Sequence, residues 1–406
     1  MYICNVDIAN MENLLLLSQQ KIQRTSLNFS RYLLNQIDLN QRLIAIKGAR
    51  GVGKTTLLLQ LAKRYGDNTS VAYVAMDDLF FNDTKLYDFA SDFSKHGGKV
   101  LLLDEVHKYP NWSREIKLIY DNFPDLKIIF TSSSILEIFK SESDLSRRLI
   151  SYNLNELSFR EFLEFERGIT VPLLSLEDII LKHNQIVLDL LADFKPIMHF
   201  KNYLNYGCYP YFKEKKEFYH QKLMQTINLI IEVDLLTVQH IDYAHITKIK
   251  RLLYVLASSV PFVPNVSKLS ESTNMSRASL INSLENLKKS CLIDYLQKNK
   301  EGIAALRKPD KLYLRNTNLI FALAESNANI GNLRETFFLN QLSFNNTVRL
   351  AEKGDFIVNS EFTFEVGGKN KSKAQISGIE NAFVVKDDIE IGINKTIPLW
   401  LFGLMY

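Results

Sequence analysis

One stretch near the start of the chain organises the rest of the sequence: Gly48-Ala49-Arg50-Gly51-Val52-Gly53-Lys54-Thr55. It fits the pattern G-x-x-x-x-G-K-[ST], with an apolar run at 43–46 before it and a helical period over 54–65 after it. A glycine-rich turn between a strand and a helix lets backbone N–H groups converge on an anion, and the start of the helix favours negative charge. The stretch therefore predicts a binding site for nucleotide phosphates.

Two side chains of this phosphate loop have expected roles of their own. Lys54 is expected to reach the β- and γ-phosphates, and Thr55 is expected to ligate Mg²⁺. The other contacts are expected from the loop backbone and from the first turn of the helix. The predicted nucleotide-binding residues are Gly48, Ala49, Arg50, Gly51, Val52, Gly53, Lys54, Thr55 and Thr56.

A second motif, Asp104 followed by Glu105, comes directly after a strand-like apolar run at 100–103. In a parallel sheet, the carboxyl end of this strand would bring both acids beside the phosphate loop. Asp104 is then expected to hold Mg²⁺, and Glu105 is expected to be the general base that polarises the attacking water. The alternative is a strand that ends in two solvated acids.

Polar residues after the next apolar run, at 127–131, are expected at the same sheet edge. Ser132 or Ser133 is a candidate sensor of the γ-phosphate, and Arg148, preceded by Arg147, is a candidate for stabilising transition-state charge. The alternatives are a serine-rich turn that caps a helix and an arginine pair on the surface. The sequence leaves open whether Arg148 acts in its own subunit or in a neighbouring one.

The composition is that of a folded protein with more than one domain. The chain has 406 residues, 46% apolar and 23% charged, with a net charge of +4, and at about 150 residues per domain this length predicts two or three domains. Three widely spaced cysteines and the absence of metal-type histidine spacing argue against a disulfide framework or a zinc site. Without a run of 18 apolar residues or a signal-like leader, a cytoplasmic protein with no membrane segment is expected.

These motifs resemble those of a family of bacterial and archaeal AAA-type P-loop ATPases. The resemblance rests on the phosphate loop (Walker A), LLDEVH at 102–107 (Walker B), PNW at 110–112, LSRR at 145–148 and ELSFREF at 156–162. The fourth motif usually reads Leu-Ser-Gly-Arg in that family, so Arg148 matches the family arginine and Arg147 stands where glycine is usual. The resemblance implies ATP as the nucleotide, with Mg²⁺, and a catalytic glutamate beside the second motif.

The resemblance covers roughly residues 20–406 and implies an α/β fold. A P-loop NTPase parallel sheet of the AAA (ASCE) type would be followed by a helical winged-helix region and an α+β nuclease-like C-terminal domain. Strand-like runs that alternate with helices are themselves typical of a parallel sheet covered on both faces. The predicted domains are an ATPase domain at 1–157, a helical lid or linker at 158–260, a winged-helix domain at 261–330 and a restriction-endonuclease-like domain at 331–406.

The segment 266–297 reads as a helix-turn-helix followed by a strand. Residues 266–315 include ten Lys or Arg and five Asp or Glu, a local net charge of +5 in a chain that is otherwise nearly neutral. Candidates for contact with duplex DNA are Ser276, Arg277, Ser279 and Asn282. The alternative is a winged helix that contacts proteins or packs between domains.

The C-terminal part contains acids and a lysine in an order similar to that of restriction-type nucleases: Glu335, Asp355, Glu365 and Lys369. Such acids bind Mg²⁺, and the lysine positions the attacking water. The usual final pattern, Glu-x-Lys, puts both side chains on one strand face, but here Val366 and two glycines separate them, and the glycines predict a bulge or turn. We therefore expect a nuclease-like scaffold with an impaired or absent active site.

The sequence predicts an ATPase that hydrolyses Mg-ATP to drive conformational change. Two interpretations stay open. One is a motor or loader that acts on duplex DNA through residues 266–315, with DNA-stimulated turnover and salt-sensitive binding. The other is a slow ATP-dependent switch that regulates a protein partner, has no DNA role and carries an inactive nuclease-like tail. The oligomeric state and the physiological partner are not determined by the sequence.

Overall fold

A computed structural model describes residues 2–66, 70–132, 145, 147–192, 194–235, 243–258, 266–297, 309–324 and 327–406. The chain divides into two compact units, residues 1–156 and 157–406. Among the described helices, none combines the length and the apolar character that crossing a bilayer requires.

The first unit is built on a five-stranded parallel sheet. Its strands are β1 (Leu43–Lys47), β2 (Val71–Ala75), β3 (Val100–Asp104), β4 (Lys127–Thr131) and β5 (Ile150–Asn153), in the order β2-β3-β4-β1-β5. Every neighbouring pair is parallel. Strands β1 and β3 are buried along their whole length, because continuous apolar runs suit a sheet that is covered on both faces. The α/β parallel sheet predicted for this unit is confirmed.

In the described part of this unit, five helices accompany the sheet: α1 (Tyr2–Arg24), α2 (Lys54–Arg64), α3 (Phe80–Asp83), α4 (Leu86–Lys95) and α5 (Trp112–Asn122). Helix α1 packs against β2 and α2, and α4 packs against α5. Strands and helices share one apolar core that includes Phe89, Leu103 and Phe130. Because β4 lies between β1 and β3, the carboxyl ends of these three strands are adjacent, and the predicted site residues follow them.

The second unit begins with a largely helical region. The helices that the structure describes in this unit are α6 (Phe159–Arg167), α7 (Leu176–Leu191), α8 (Pro196–Tyr206), α9 (Tyr219–Leu229), α10 (Tyr243–Ser258), α11 (Val266–Thr273), α12 (Arg277–Lys289), α13 (Thr317–Ala324) and α14 (Ile330–Leu342). Capping boxes formed by Ser158 and Ser175 begin α6 and α7, since each serine satisfies a backbone N–H that the helix leaves unbonded. The rings of Phe162 and Tyr203, 5.6 Å apart, join α6 to α8.

Helices α11 and α12 are joined by a short turn, in which Asn274 has a left-handed φ of 54°. Strand β6 (Ile293–Leu296) then pairs antiparallel with β7 (Lys311–Leu314). Leu280, Leu284 and Leu287 are buried along α12, as their helical spacing predicts. The two helices and the first strand lie where the sequence predicts them, and the identity of the segment as a winged helix stays a prediction.

The chain ends in a mixed five-stranded sheet. Its strands are β8 (Val348–Leu350), β9 (Phe356–Val358), β10 (Phe362–Gly367), β11 (Ala382–Lys386) and β12 (Thr396–Pro398), in the order β12-β11-β10-β9-β8. Strands β8, β9 and β10 pair antiparallel, whereas β10, β11 and β12 pair parallel. Helix α14 packs on β10. The arrangement is α+β, and its likeness to nucleases stays a prediction.

Candidate functional site

The phosphate loop connects β1 to α2 and has the backbone conformation that its glycines allow. Gly51 has a φ of 85° and Gly53 a φ of 96°, values that a residue with a Cβ atom rarely adopts. Arg31, which is buried, braces the loop because its guanidinium donates to the carbonyl oxygen of Val52 at 2.6 Å and to that of Asn155 at 2.7 Å. These contacts by themselves hold the loop in a curved shape.

Lys54 lies inside this curve. Its side chain is buried, and its ammonium donates to the carbonyl oxygens of Gly48 at 2.9 Å and Ala49 at 2.8 Å. Thr55 and Thr56 stand exposed in the first turn of α2. A phosphate bound in the loop would meet an ammonium and a helix N-terminus, both of which favour an anion.

Asp104 ends β3, and its carboxylate is fixed from two sides. The Tyr73 hydroxyl donates to Oδ2 at 2.9 Å, and the Thr131 hydroxyl donates to Oδ1. Burial, and then the Asp104 charge, raise the pKa of the Tyr73 phenol far above its usual value near 10, so the phenol stays a donor. A carboxylate oriented in this way at the sheet edge fits the role of a Mg²⁺ ligand.

Glu105 follows in a left-handed conformation, with a φ of 53°. Its backbone N–H donates to Thr131 Oγ1 at 3.0 Å, so Thr131 connects the ends of β3 and β4. The Glu105 carboxylate forms an ion pair with Lys108, which also binds Asp77 at 2.6 Å. The second acid of the motif is thus restrained through both its backbone and its side chain.

His107 and Ser132 connect the second motif to the phosphate loop. The Ser132 hydroxyl lies 3.2 Å from His107 Nδ1. Burial lowers the pKa of His107 to about 4; the Glu105 charge opposes this shift, while Arg50, Lys108 and Lys54 add to it. The imidazole is therefore neutral at pH 7. Its pKa responds both to Glu105 and to the phosphate-loop cations, which act in opposite directions. The predicted site residues from three strand ends lie in one neighbourhood.

Arg148 lies away from the site residues at the carboxyl ends of β1, β3 and β4. It comes just before β5, whose first residue Ile150 pairs with Ile44 of β1, so it lies at the amino-terminal edge of the parallel sheet. Its guanidinium binds the Asp121 carboxylate near the end of α5 at 2.9 and 3.1 Å. The phosphate loop follows the carboxyl end of β1, at the opposite edge. The other candidate sensor, Ser133, and the Ser146 of the LSRR motif lie outside the described residues.

The residues proposed to contact DNA have mixed surroundings. Arg277 and Asn282 are exposed on α12. Ser276 caps α12 by accepting from the backbone N–H of Ser279, whose own hydroxyl lies 3.4 Å from His245 Nδ1. Both serine hydroxyls therefore make contacts within the protein, although Ser276, like Arg277 and Asn282, is exposed and only Ser279 is partly buried.

Ion pairs involve basic residues in the described part of the segment 266–315. Lys311 binds Glu335 at 2.5 Å, and Arg315 binds Asp294. Lys288 stands over the ring of Tyr295, 3.8 Å from its centroid. Lys298, Lys300, Arg307 and Lys308 of the same segment lie outside the described residues. The local charge of +5 therefore overstates the positive surface that the described residues present.

The C-terminal acids are brought together, but they meet lysines. The buried Glu335 carboxylate accepts from Lys311 Nζ at 2.5 Å and from the Tyr313 hydroxyl at 2.7 Å, and Lys311 Nζ lies 3.8 Å from Asp355. Burial is the largest cause that raises the pKa of Glu335 above its usual value near 4.5, and Lys311 opposes that shift. This group joins β7, α14 and the start of β9.

The lysine beside Glu365 is Lys371 rather than Lys369. Lys371 forms an ion pair with the fully buried Glu365, and the Gln375 amide, with its nitrogen turned toward this carboxylate, donates at 2.6 and 3.0 Å. The pKa of Asp388 is lowered mainly by its ion pair with Lys201, and Lys369 adds a smaller contribution to that shift. Among the residues that the structure describes, no three His, Cys, Asp or Glu side chains are grouped so that they could hold a metal ion.

Several of these contacts involve residues that sequence reasoning missed. Tyr73 gives no signal, because its hydrogen bond depends on the register of β2 against β3. Lys311 and Lys371 pair across turns and strands, which residue spacing does not reveal. Lys108 does carry a signal, since it comes three residues after Glu105 and such a spacing brings side chains together on a helical turn.

Comparison with known proteins agrees with the geometry of the first unit. Residues 40–163 match a family described as an AAA domain, and residues 197–330 match a domain family of unknown function. Over 270 residues the chain is 31% identical to an uncharacterised protein of Methanocaldococcus jannaschii, a match that covers 61% of this chain and 55% of the relative. The chain thus spans about half the length of that relative. The AAA match supports the predicted assignment of the first unit to AAA-type ATPases.

Solved structures also resemble this chain. The Walker-type ATPase of Pyrococcus abyssi aligns with a TM-score of 0.42 and 13% identity, over 75% of this chain and 94% of its own. The AMPPCP-bound DnaA of Aquifex aeolicus aligns with a TM-score of 0.28 and 18% identity, over 63% of this chain and 84% of its own.

Proposed function

We propose that this protein hydrolyses Mg-ATP and uses the reaction to change conformation. The observation that carries the proposal is the convergence of the phosphate loop, the Asp104-Glu105 pair and the Thr131-Ser132 strand end at one edge of a parallel sheet. These are the groups needed to bind phosphates, hold a divalent cation and activate water.

Each group has a distinct role in the proposed reaction. Lys54 and the loop amides hold the phosphates, and Thr55 and Asp104 hold Mg²⁺, which when bound neutralises charge on the phosphate oxygens. Glu105 accepts a proton from the attacking water. Ser132, with neutral His107 beside it, is suited to hydrogen-bond the γ-phosphate.

Arg148 is proposed to act on a neighbouring subunit. Its position at the sheet edge opposite the phosphate loop, and its pairing with Asp121, argue against action within its own site. A guanidinium supplied to a neighbouring active site would stabilise charge in the transition state there. This role requires an assembly of more than one copy.

The phosphate site is tested by Lys54→Ala. We expect nucleotide affinity to fall about 10- to 150-fold, the usual effect of losing a hydrogen bond to a charged group. Titration calorimetry with Mg-ATP measures the change. Lys99→Ala, which removes an exposed lysine just before β3 at the opposite sheet edge, is the matched control and should bind as the parent does. Unchanged affinity in Lys54→Ala would overturn the assignment of the loop.

ATP hydrolysis could drive either a DNA motor or a protein-directed switch. We favour the switch because Lys311 and Arg315 lie in ion pairs and the hydroxyls of Ser276 and Ser279 make contacts within the protein. In this reading the helix-turn-helix serves protein contacts. ATP drives a change of state, and the nuclease-like tail is inactive.

The choice is tested by adding duplex DNA to the turnover assay. We expect DNA to leave the rate of phosphate release unchanged at about 50 mM and at about 200 mM salt, because few basic side chains of the described segment are available for phosphate contacts. Stimulation at the lower salt concentration that is lost at the higher one would instead favour the DNA-directed interpretation. Poly-glutamate, an anionic polymer without bases, controls for non-specific charge effects.

A further inference from the structure

The proposed general base has a cation attached to it. Lys108 Nζ forms an ion pair with Glu105 and a second one, at 2.6 Å, with Asp77. The three side chains come from two neighbouring strand ends, since Asp77 follows β2 and Glu105 follows β3. The lysine therefore ties the base to the adjacent strand end.

The local backbone holds Lys108 in this position. Residues Val106–Lys108 form a 3₁₀ turn, and the backbone N–H of Lys108 donates to the carbonyl oxygen of Glu105 at 3.0 Å. Burial lowers the pKa of Lys108, but the Asp77 and Glu105 carboxylates raise it by more, so the net shift is upward from 10.5. The side chain is thus an ammonium throughout the neutral pH range.

An ammonium on a carboxylate oxygen competes with the water from which that oxygen must take a proton. The competition is moderate in strength, because Lys108 is 35% and Glu105 22% exposed and solvent weakens such pairs. The arrangement is therefore weak enough to open during a catalytic cycle.

We propose that Lys108, tethered by Asp77, is a positioning residue that restrains Glu105, so that hydrolysis waits until the Lys108–Glu105 pair opens. This proposal rests on the proposed function, in which Glu105 is the base. With this restraint, turnover would be slow in the isolated chain and faster when a partner or a neighbouring subunit draws Lys108 away.

The test is steady-state phosphate release at saturating Mg-ATP by Lys108→Ala. We expect kcat to rise roughly two- to fivefold with KM unchanged, the effect of losing one partly exposed ion pair. Lys108→Arg keeps the ion pair and should keep the low rate. Lys95→Ala, which removes an exposed pair with Asp92 in the same unit, is the matched control and should behave as the parent. An unchanged or lower kcat in Lys108→Ala overturns the proposal.

A double variant separates this proposal from the function beneath it. Glu105→Gln combined with Lys108→Ala should be as slow as Glu105→Gln alone, because no base is left to release. If Glu105→Gln is inactive and Lys108→Ala gives no rise, the restraint is wrong and the assignment of the base stands. If the double variant keeps the raised rate, Glu105 is not the base and both proposals fail.

Discussion

Glu105→Gln is expected to bind Mg-ATP and to hydrolyse it about 10²- to 10⁴-fold more slowly than the parent, the usual contribution of a general base. The amide has nearly the shape of the carboxylate, and the backbone N–H bond from residue 105 to Thr131 does not depend on the side chain. The loop, Lys54 and Asp104 should therefore keep their geometry. The substitution removes the carboxylate charge, and with it the group that takes the proton from water and the ion pair with Lys108.

The measurement has two parts: nucleotide affinity by calorimetry and single-turnover phosphate release. Glu12→Gln, a change at an exposed glutamate on α1 of the same unit, is the control and should hydrolyse ATP at the parent rate. Hydrolysis at that rate by Glu105→Gln would show that another group activates the water. A loss of binding equal to the loss of rate would show instead that Glu105 contributes to ground-state binding.

Lys311→Met is expected to destabilise the protein by about 3–5 kcal/mol, because it leaves a buried carboxylate without its cation. Lys311 contacts Glu335 at 2.5 Å and lies 3.8 Å from Asp355, and both Lys311 and Glu335 are nearly inaccessible to solvent. Methionine fills a similar volume, so the main change is electrostatic. Urea denaturation followed by circular dichroism measures the loss.

The loss of stability caused by Lys311→Met should become smaller as the pH is lowered from 7 toward 5. The folded-state pKa of Glu335 is already raised by burial, and removing Lys311 removes a charge that lowers it. A carboxyl group whose pKa is higher in the folded than in the unfolded state stabilises the fold when the pH is below its unfolded-state pKa. That contribution is lost as the pH rises through its folded-state pKa. Acid therefore relieves the buried charge in the variant.

Lys289→Met, an exposed lysine at the end of α12 in the same unit, controls for the loss of one positive charge and should cost little at either pH. If Lys311→Met were as stable as this control, the pair with Glu335 would make no net contribution. If the penalty of Lys311→Met grew with acid, the buried group would not be a carboxylate held in its charged form.

The first unit was predictable from sequence because its signals are local. The apolar runs at 43–46 and 100–103 become fully buried parallel strands, and the glycines of the loop have left-handed φ values that few other residues adopt. The carboxyl ends of parallel strands meet at one edge of a sheet, so the expectation that Asp104 lies at the same edge as the loop needed only the parallel arrangement.

The lysine that pairs with Glu365 in the C-terminal sheet could not be predicted from residue spacing. Counting residues along β10 from Glu365 leads to Lys369 as its partner, but the chain turns after Gly367, and the backbone N–H of Lys371 donates to the carbonyl oxygen of Gly368 at 2.9 Å. The turn brings Lys371 back to Glu365. Side-chain parity holds only within a regular strand, so the lysine that meets the acid depends on a turn whose exact course the residue pattern does not give.

The proposed reaction is tested most directly by phosphate release from ATP, followed for the unmodified chain with and without Mg²⁺. The site predicts repeated turnovers when Mg²⁺ is present and none when it is chelated, because Thr55 and Asp104 hold the cation that the phosphates need. Absence of any turnover with Mg²⁺, or an equal rate after chelation, would contradict the assignment of this sheet edge as a site of Mg-ATP hydrolysis.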